Sequence, residues 1–145
     1  MIEVTAEVDA PPEQVFAVLA DGWSYAGWVV GATHVRAVDE GWPAVGTRIH
    51  HSVGPWPLTA NDVTTVTAVA RDRLLELDAQ VWPVGAARVR FTLTPAPGGT
   101  TVSMAELAER GPAALLPRSA QALLLIPRNR ESLSRLGNLA TGRGG

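Results

Sequence analysis

Residues 73–93 read RLLELDAQVWPVGAARVRFTL. Leu75, Leu77, Ala79 and Val81 alternate with Glu76, Asp78 and Gln80; beyond Pro83-Val84-Gly85, Ala87, Val89, Phe91 and Leu93 alternate with Arg88, Arg90 and Thr92. Successive side chains of a strand point to opposite faces, so this stretch is a hairpin with one dry and one wet face. Centring it on Val84 sets Asp78 opposite Arg90 and Gln80 opposite Arg88 outside. Leu77 then meets Phe91, and Ala79 meets Val89, inside. Each opposed charge pair adds about 0.2–1 kcal/mol, which favours that register.

The same rule carries to the neighbouring strands. Ile49, His51 and Val53 face inward while Arg48, His50 and Ser52 face outward; Val102, Met104 and Glu106 face inward while Thr101 and Ser103 face outward. Turn residues at 39–43, 54–57, 71–72, 83–85 and 96–99 divide Ala32 to Ala108 into six strands. Before them, Ile2, Val4, Ala6 and Val8 alternate with Glu3, Thr5, Glu7 and Asp9, which is a first strand. Asp9-Ala10-Pro11-Pro12-Glu13 then opens a helix with Val15, Phe16, Val18 and Leu19 as its buried stripe, ending near Gly22. Trp23 to Trp28 reads as a second short helix closed by Gly31.

After Gly111-Pro112 the chain is helical, with Leu115, Ala122, Ile126, Asn129, Leu133, Leu136 and Ala140 recurring every three or four residues. Pro117 and Pro127 each remove an amide donor, so the expectation is either one kinked helix or a short piece before Pro117 followed by the main helix. A long antiparallel sheet with one apolar face must be covered, and this terminal helix is the only large element left to cover it. The fold class is therefore α+β.

The 145 residues suffice for one domain, expected over 1–140 with a flexible tail at 141–145. With no Cys there is no thiol nucleophile, disulfide or Cys-bound zinc, and all 12 basic residues are Arg, so no lysine Schiff base forms. A net charge of −2 with arginines scattered singly predicts no sequence-independent pull on nucleic acid or anionic lipid. The acidic, alternating start is unlike a signal peptide, and the longest apolar run, Ala122 to Ile126, is far short of the roughly 20 residues that span a bilayer. A cytoplasmic protein without stable membrane insertion is expected.

Two inward positions carry polar groups, His51 and Glu106, and Asn129 shares the apolar stripe of the last helix. Burying such a group without a partner costs about 1–3 kcal/mol. A water-containing pocket would accept all three; a strand end open to solvent or a backbone hydrogen bond would also serve. Three tryptophans stand beside loop prolines, Trp42-Pro43, Trp56-Pro57 and Trp82-Pro83, and either rim a cavity mouth or seal sheet ends.

Other chemistry is poorly supported. Gly22-Trp23-Ser24-Tyr25-Ala26 fails the nucleophile elbow at its fifth residue. His50 and His51 are adjacent on a strand and point to opposite faces, so they do not chelate one metal together. There is no phosphate-cradling loop or dinucleotide fingerprint, and no cofactor is expected. His51 and Glu106 form the only acid/base pair that can be constructed, provided their strand ends approach across the cavity.

The order of elements, with Glu7-Val8-Asp9-Ala10-Pro11-Pro12-Glu13-Gln14-Val15-Phe16 entering the first helix, resembles the START/Bet v 1-like (SRPBCC) superfamily, and within it the bacterial polyketide cyclase/dehydrase and lipid transport group. Gly41-Trp42-Pro43-Ala44-Val45-Gly46-Thr47, Gly99-Thr100-Thr101-Val102, Glu106 ahead of Gly111-Pro112, and Arg128-Asn129-Arg130-Glu131-Ser132-Leu133 match in the same order. The resemblance implies a helix-grip fold: a curved seven-stranded antiparallel sheet wrapped around a long C-terminal helix, two short helices between strands 1 and 2, and a hydrophobic cavity. It implies no single reaction. The expected function is binding of a small hydrophobic molecule, such as a lipid, polyketide or aromatic metabolite, by Ile49, His51, Val53, Leu77, Val89, Phe91, Met104, Glu106 and Asn129, in a monomer or weak homodimer. The alternatives are a cyclase or dehydratase using His51 or Glu106, and an accessory protein-interaction or stress-response domain.

Overall fold

A computed structural model describes residues 1–30, 32–53, 60–81 and 85–142, without the side chains of Ala32, Thr33, Val53, Ala60, Asn61 and Val81. Strand β1 (Ile2–Val8) leads into α1 (Pro12–Leu19), a 3₁₀ turn (Gly22–Ser24) and α2 (Tyr25–Trp28). There follow β2 (Ala32–Val38), β3 (Arg48–Val53), β4 (Ala60–Ala70), β5 (Leu74–Val81), β6 (Gly85–Ala96) and β7 (Gly99–Arg110). A second 3₁₀ turn (Pro112–Leu115) precedes α3 (Arg118–Thr141). Among the described residues the strands form one antiparallel sheet in the order β1-β7-β6-β5-β4-β3-β2. The first and last strands in sequence thus pair, while the others follow as a meander.

The expected inward set is buried: Ile49, Leu75, Leu77, Phe91, Val102 and Met104 are all at most 2% exposed. The hairpin register differs from expectation by two residues. Leu77 pairs with Val89, Ala79 with Ala87, Asp78 with Arg88 and Glu76 with Arg90. The reason lies on the outer face, where Glu76 receives Arg88 Nη1 at 2.6 Å and Arg90 Nε at 2.9 Å, together with the Thr67 hydroxyl at 3.2 Å. One carboxylate shared by two guanidiniums outweighs the Asp78–Arg90 pairing, and Asp78 finds Arg110 instead, at 2.9 Å. Held chiefly by Arg88, Glu76 titrates below the usual carboxylate range although it is buried.

The terminal helix breaks at Pro117 and runs on through Pro127, so the short piece and the main helix are separate elements. Leu115 belongs to the short piece and is 87% exposed, outside the buried stripe on which the spacing placed it. The helix also reaches Thr141, one residue into the expected tail, where Gly142 caps it in the left-handed region at φ 75°. Its principal contacts are with β1, α1, α2 and β7. It therefore leans on one side of the sheet, and the concave surface of the middle strands is free to face a cavity. Trp28 packs edge-on against Phe91 and Tyr25, with ring centroids 5.4 and 5.6 Å away.

Candidate functional site

A cavity of about 490 Å³ lies between sheet and helix. Leu77, Ala79, Ala87, Val89, Phe91 and Met104 make its sheet wall. Val29 and Val30 after α2, Pro112, Ala113 and Leu116, and Leu124 and Leu125 of α3 complete the apolar lining. Tyr25, His51, Glu106, Gln121 and Arg128 bring polar atoms to it. A larger, shallower depression of about 670 Å³ lies between α1 and the segments around 41–44 and 69–72, outside the grip; Glu13, Asp21 and Asp72 line it.

The polar groups fall into two networks. In the first, Glu106 Oε1 accepts from Asn129 Nδ2 at 3.0 Å and from Arg128 Nη1 at 3.2 Å. Arg128 also donates to the Val30 carbonyl (3.0 Å) and to Asn129 Oδ1 (3.2 Å), so one guanidinium ties α3 to β7 and to the segment after α2. Ser132 accepts from the Val30 amide at 3.1 Å, and Gln121 accepts from the Ala108 amide at 3.2 Å while donating to the Leu116 carbonyl at 3.1 Å. These bonds fix the angle of α3 over the sheet.

The second network is centred on Thr64 of β4. His51 Nε2 lies 2.9 Å from its hydroxyl and the Tyr25 phenol 3.5 Å from it. Asp62, also buried, stands directly across from His51 in the β3–β4 ladder. His51 Nδ1 is buried and has no hydrogen-bond partner among the described residues. Desolvation lowers the His51 pKa below 6.5, partly opposed by Asp62, so the imidazole is neutral at pH 7. Burial likewise raises the Tyr25 phenol above its usual range, and the phenol keeps its proton.

Of the expected site residues, His51, Leu77, Val89, Phe91, Met104 and Glu106 line the cavity. Ile49 is fully buried in the core and Asn129 is 1% exposed behind Arg128 and Glu106; neither belongs to the wall. The Val53 side chain lies outside the described residues. His51 and Glu106 are not bonded to each other: each is held by its own network, on strands four ladder steps apart. His50 turns to the outer face, 2.8 Å from Asp39, as the strand period requires. No three metal-ligating side chains cluster among the described residues. Trp42 donates its indole N–H to the Leu19 carbonyl at 3.1 Å, sealing the end of α1 away from the cavity, while Trp56 and Trp82 lie outside the described residues.

A curved antiparallel sheet gripping its C-terminal helix around an apolar cavity defines a START/Bet v 1-like protein. The chain belongs to the polyketide cyclase/dehydrase and lipid transport family, whose match covers residues 1–141. Similar solved structures include a Rhodobacter sphaeroides protein (23% identity, TM-score 0.72, covering 97% of this chain and 91% of that one). Another is Ara h 8.0201 (15%, TM-score 0.70, 97% and 96%). A third is the di-domain ARO/CYC StfQ from the steffimycin biosynthetic pathway (10%, TM-score 0.72, 99% and 51%). At these identities the likeness establishes the fold. No curated protein is significantly similar in sequence. Among the described residues, no helix is long and apolar enough to cross a membrane.

Proposed function

We propose that the protein binds one small, predominantly apolar molecule, a lipid, polyketide or aromatic metabolite, in the cavity between sheet and α3. The observation that carries this reading is the lining. Aliphatic and aromatic side chains supply most of a volume within the range of small-molecule sites, and the few polar groups sit in two separate places. Apolar burial provides the affinity, while Arg128 at one place and Tyr25 and His51 at the other orient any oxygen the ligand carries. Native mass spectrometry of the purified protein after exposure to a cell lipid extract tests this; failure to retain any apolar molecule counts against it.

A second reading is supported by one feature, the neutral His51 joined through Thr64 to Tyr25 in the cavity wall. An imidazole kept neutral can take a proton from a polyketide-like carbon acid. Glu106, engaged by Arg128 and Asn129, positions rather than abstracts. Under this reading His51→Ala abolishes turnover of such a substrate while binding persists; equal rates in the variant eliminate it.

A further inference from the structure

Arg128 and Glu106, which both line the cavity, are joined through one atom of each. Arg128 Nη1 meets Glu106 Oε1 at 3.2 Å, and that oxygen also accepts from Asn129 Nδ2 at 3.0 Å. The same Nη1 donates to Asn129 Oδ1, and Nε donates to the Val30 carbonyl. A guanidinium and a carboxylate often pair through two parallel bonds. Here Arg128 Nη2 and Glu106 Oε2 are left without a hydrogen-bond partner among the described residues. Neither atom is sealed off, since the sealed polar side-chain atoms that lack a partner are Trp28 Nε1 and His51 Nδ1. One accessible donor and one accessible acceptor therefore remain on a carboxylate side chain only 6% exposed and the arginine that holds it.

The charge of the wall is balanced. Among the described residues that line the cavity, the titratable side chains are Tyr25, His51, Glu106 and Arg128. Burial keeps the phenol protonated and the imidazole neutral, so the Arg128 cation and the Glu106 anion cancel. An ionised ligand would find no uncompensated counter-charge in a largely apolar site, and burying it there is unfavourable. A hydrocarbon end would shut water away from Nη2 and Oε2 and leave both unbonded. A ketone would accept from Nη2 but set a second acceptor against Oε2. Only a polar end with both a donor and an acceptor answers the two open atoms.

We infer that the cavity selects a neutral ligand whose polar end accepts a hydrogen bond from Arg128 Nη2 and donates one to Glu106 Oε2, as a primary amide or a hydroxy-ketone does, and that it discriminates against carboxylates and amines with the same apolar body. The inference rests on the proposed binding function and narrows it: ionised fatty acids are disfavoured although their chains suit the lining.

The test is calorimetric titration of the full chain near neutral pH with naphthamide, acetonaphthone, naphthoate and naphthylmethylamine, all substituted at the same ring carbon, so that the body stays nearly constant while the head changes. The amide should bind at least about tenfold more tightly than the ketone, and both ions more weakly than the ketone. Glu106→Gln then reverses the charge preference. It leaves the Arg128 cation uncompensated, so naphthoate should gain at least about tenfold relative to the amide, a change of rank that a loosened fold does not produce. The series on the parent protein decides the matter even if that variant folds poorly. Equal binding of amide and ketone, or an ion that binds the parent as tightly as the amide, overturns the selection and leaves cavity binding in place. An unchanged rank order in folded Glu106→Gln overturns its assignment to this pair. No binding by any of the four removes the cavity reading and this inference with it.

Discussion

Glu106 shows what one side chain contributes. Its side chain is 6% exposed and meets Arg128, itself 31% exposed, and Asn129. Glu106→Gln leaves a largely buried guanidinium without its counter-charge, and a loss of about 1–3 kcal/mol in unfolding free energy is expected, read as a lower urea midpoint. His51 gives the pH counterpart. Its folded pKa lies below the unfolded value, so the stability it contributes is complete above about pH 6.5 and declines as pH falls through the folded pKa. Urea midpoints taken from pH 8 down to about pH 5 should therefore fall more steeply for the parent than for His51→Gln. His51, Glu106 and Asn129 were legible because each interrupts an apolar period. Arg128 was not: it is adjacent to Asn129 and so belongs to another helix face, and it reaches Glu106 only by its length. Thr64 and Asp62 were hidden for a different reason. In β4 threonines occupy both faces, Thr64 inward and Thr65 and Thr67 outward, so no alternation marks the inner one.

At the scale of elements, the β5–β6 hairpin separates what periodicity determines from what it does not. A slip of two residues returns every side chain to the same face, so the hydrophobic pattern is indifferent between the expected and observed registers. The decision falls to contacts across several strands, Glu76 with Arg88, Arg90 and Thr67, which a two-strand comparison omits. The junction where β6 leaves the turn is tightly constrained as well. Gly85 has φ 125°, and a Cβ there would lie 1.8 Å from the Arg110 carbonyl oxygen of β7. Gly142, at φ 75°, meets nothing within 4 Å. Gly142→Ala should cost only the conformational penalty, about 1 kcal/mol, whereas Gly85→Ala must also push β7 away and should cost more than about 2 kcal/mol. Paired urea titrations of the two variants separate backbone conformation from close approach.

For the whole molecule, the cavity is unused packing. A chain that grips its helix mainly from β1, β7, α1 and α2 gives up dispersion contacts along the middle strands, and those contacts return when a ligand occupies the space. Binding to the folded state alone then raises stability by mass action, about 2.7 kcal/mol at a hundredfold excess over Kd, or roughly 5–10 °C in Tm for a domain of this size. Ala79 offers the control. It is 8% exposed and lines the sheet wall, so Ala79→Phe projects a ring into the cavity from a strand whose backbone need not move. Thermal melts with and without an apolar ligand should show the full shift in the parent and almost none in Ala79→Phe, while the variant alone melts no lower than about 5 °C below the parent. An equal ligand-induced shift in both proteins would place the binding site outside the grip and leave the cavity without a role in it.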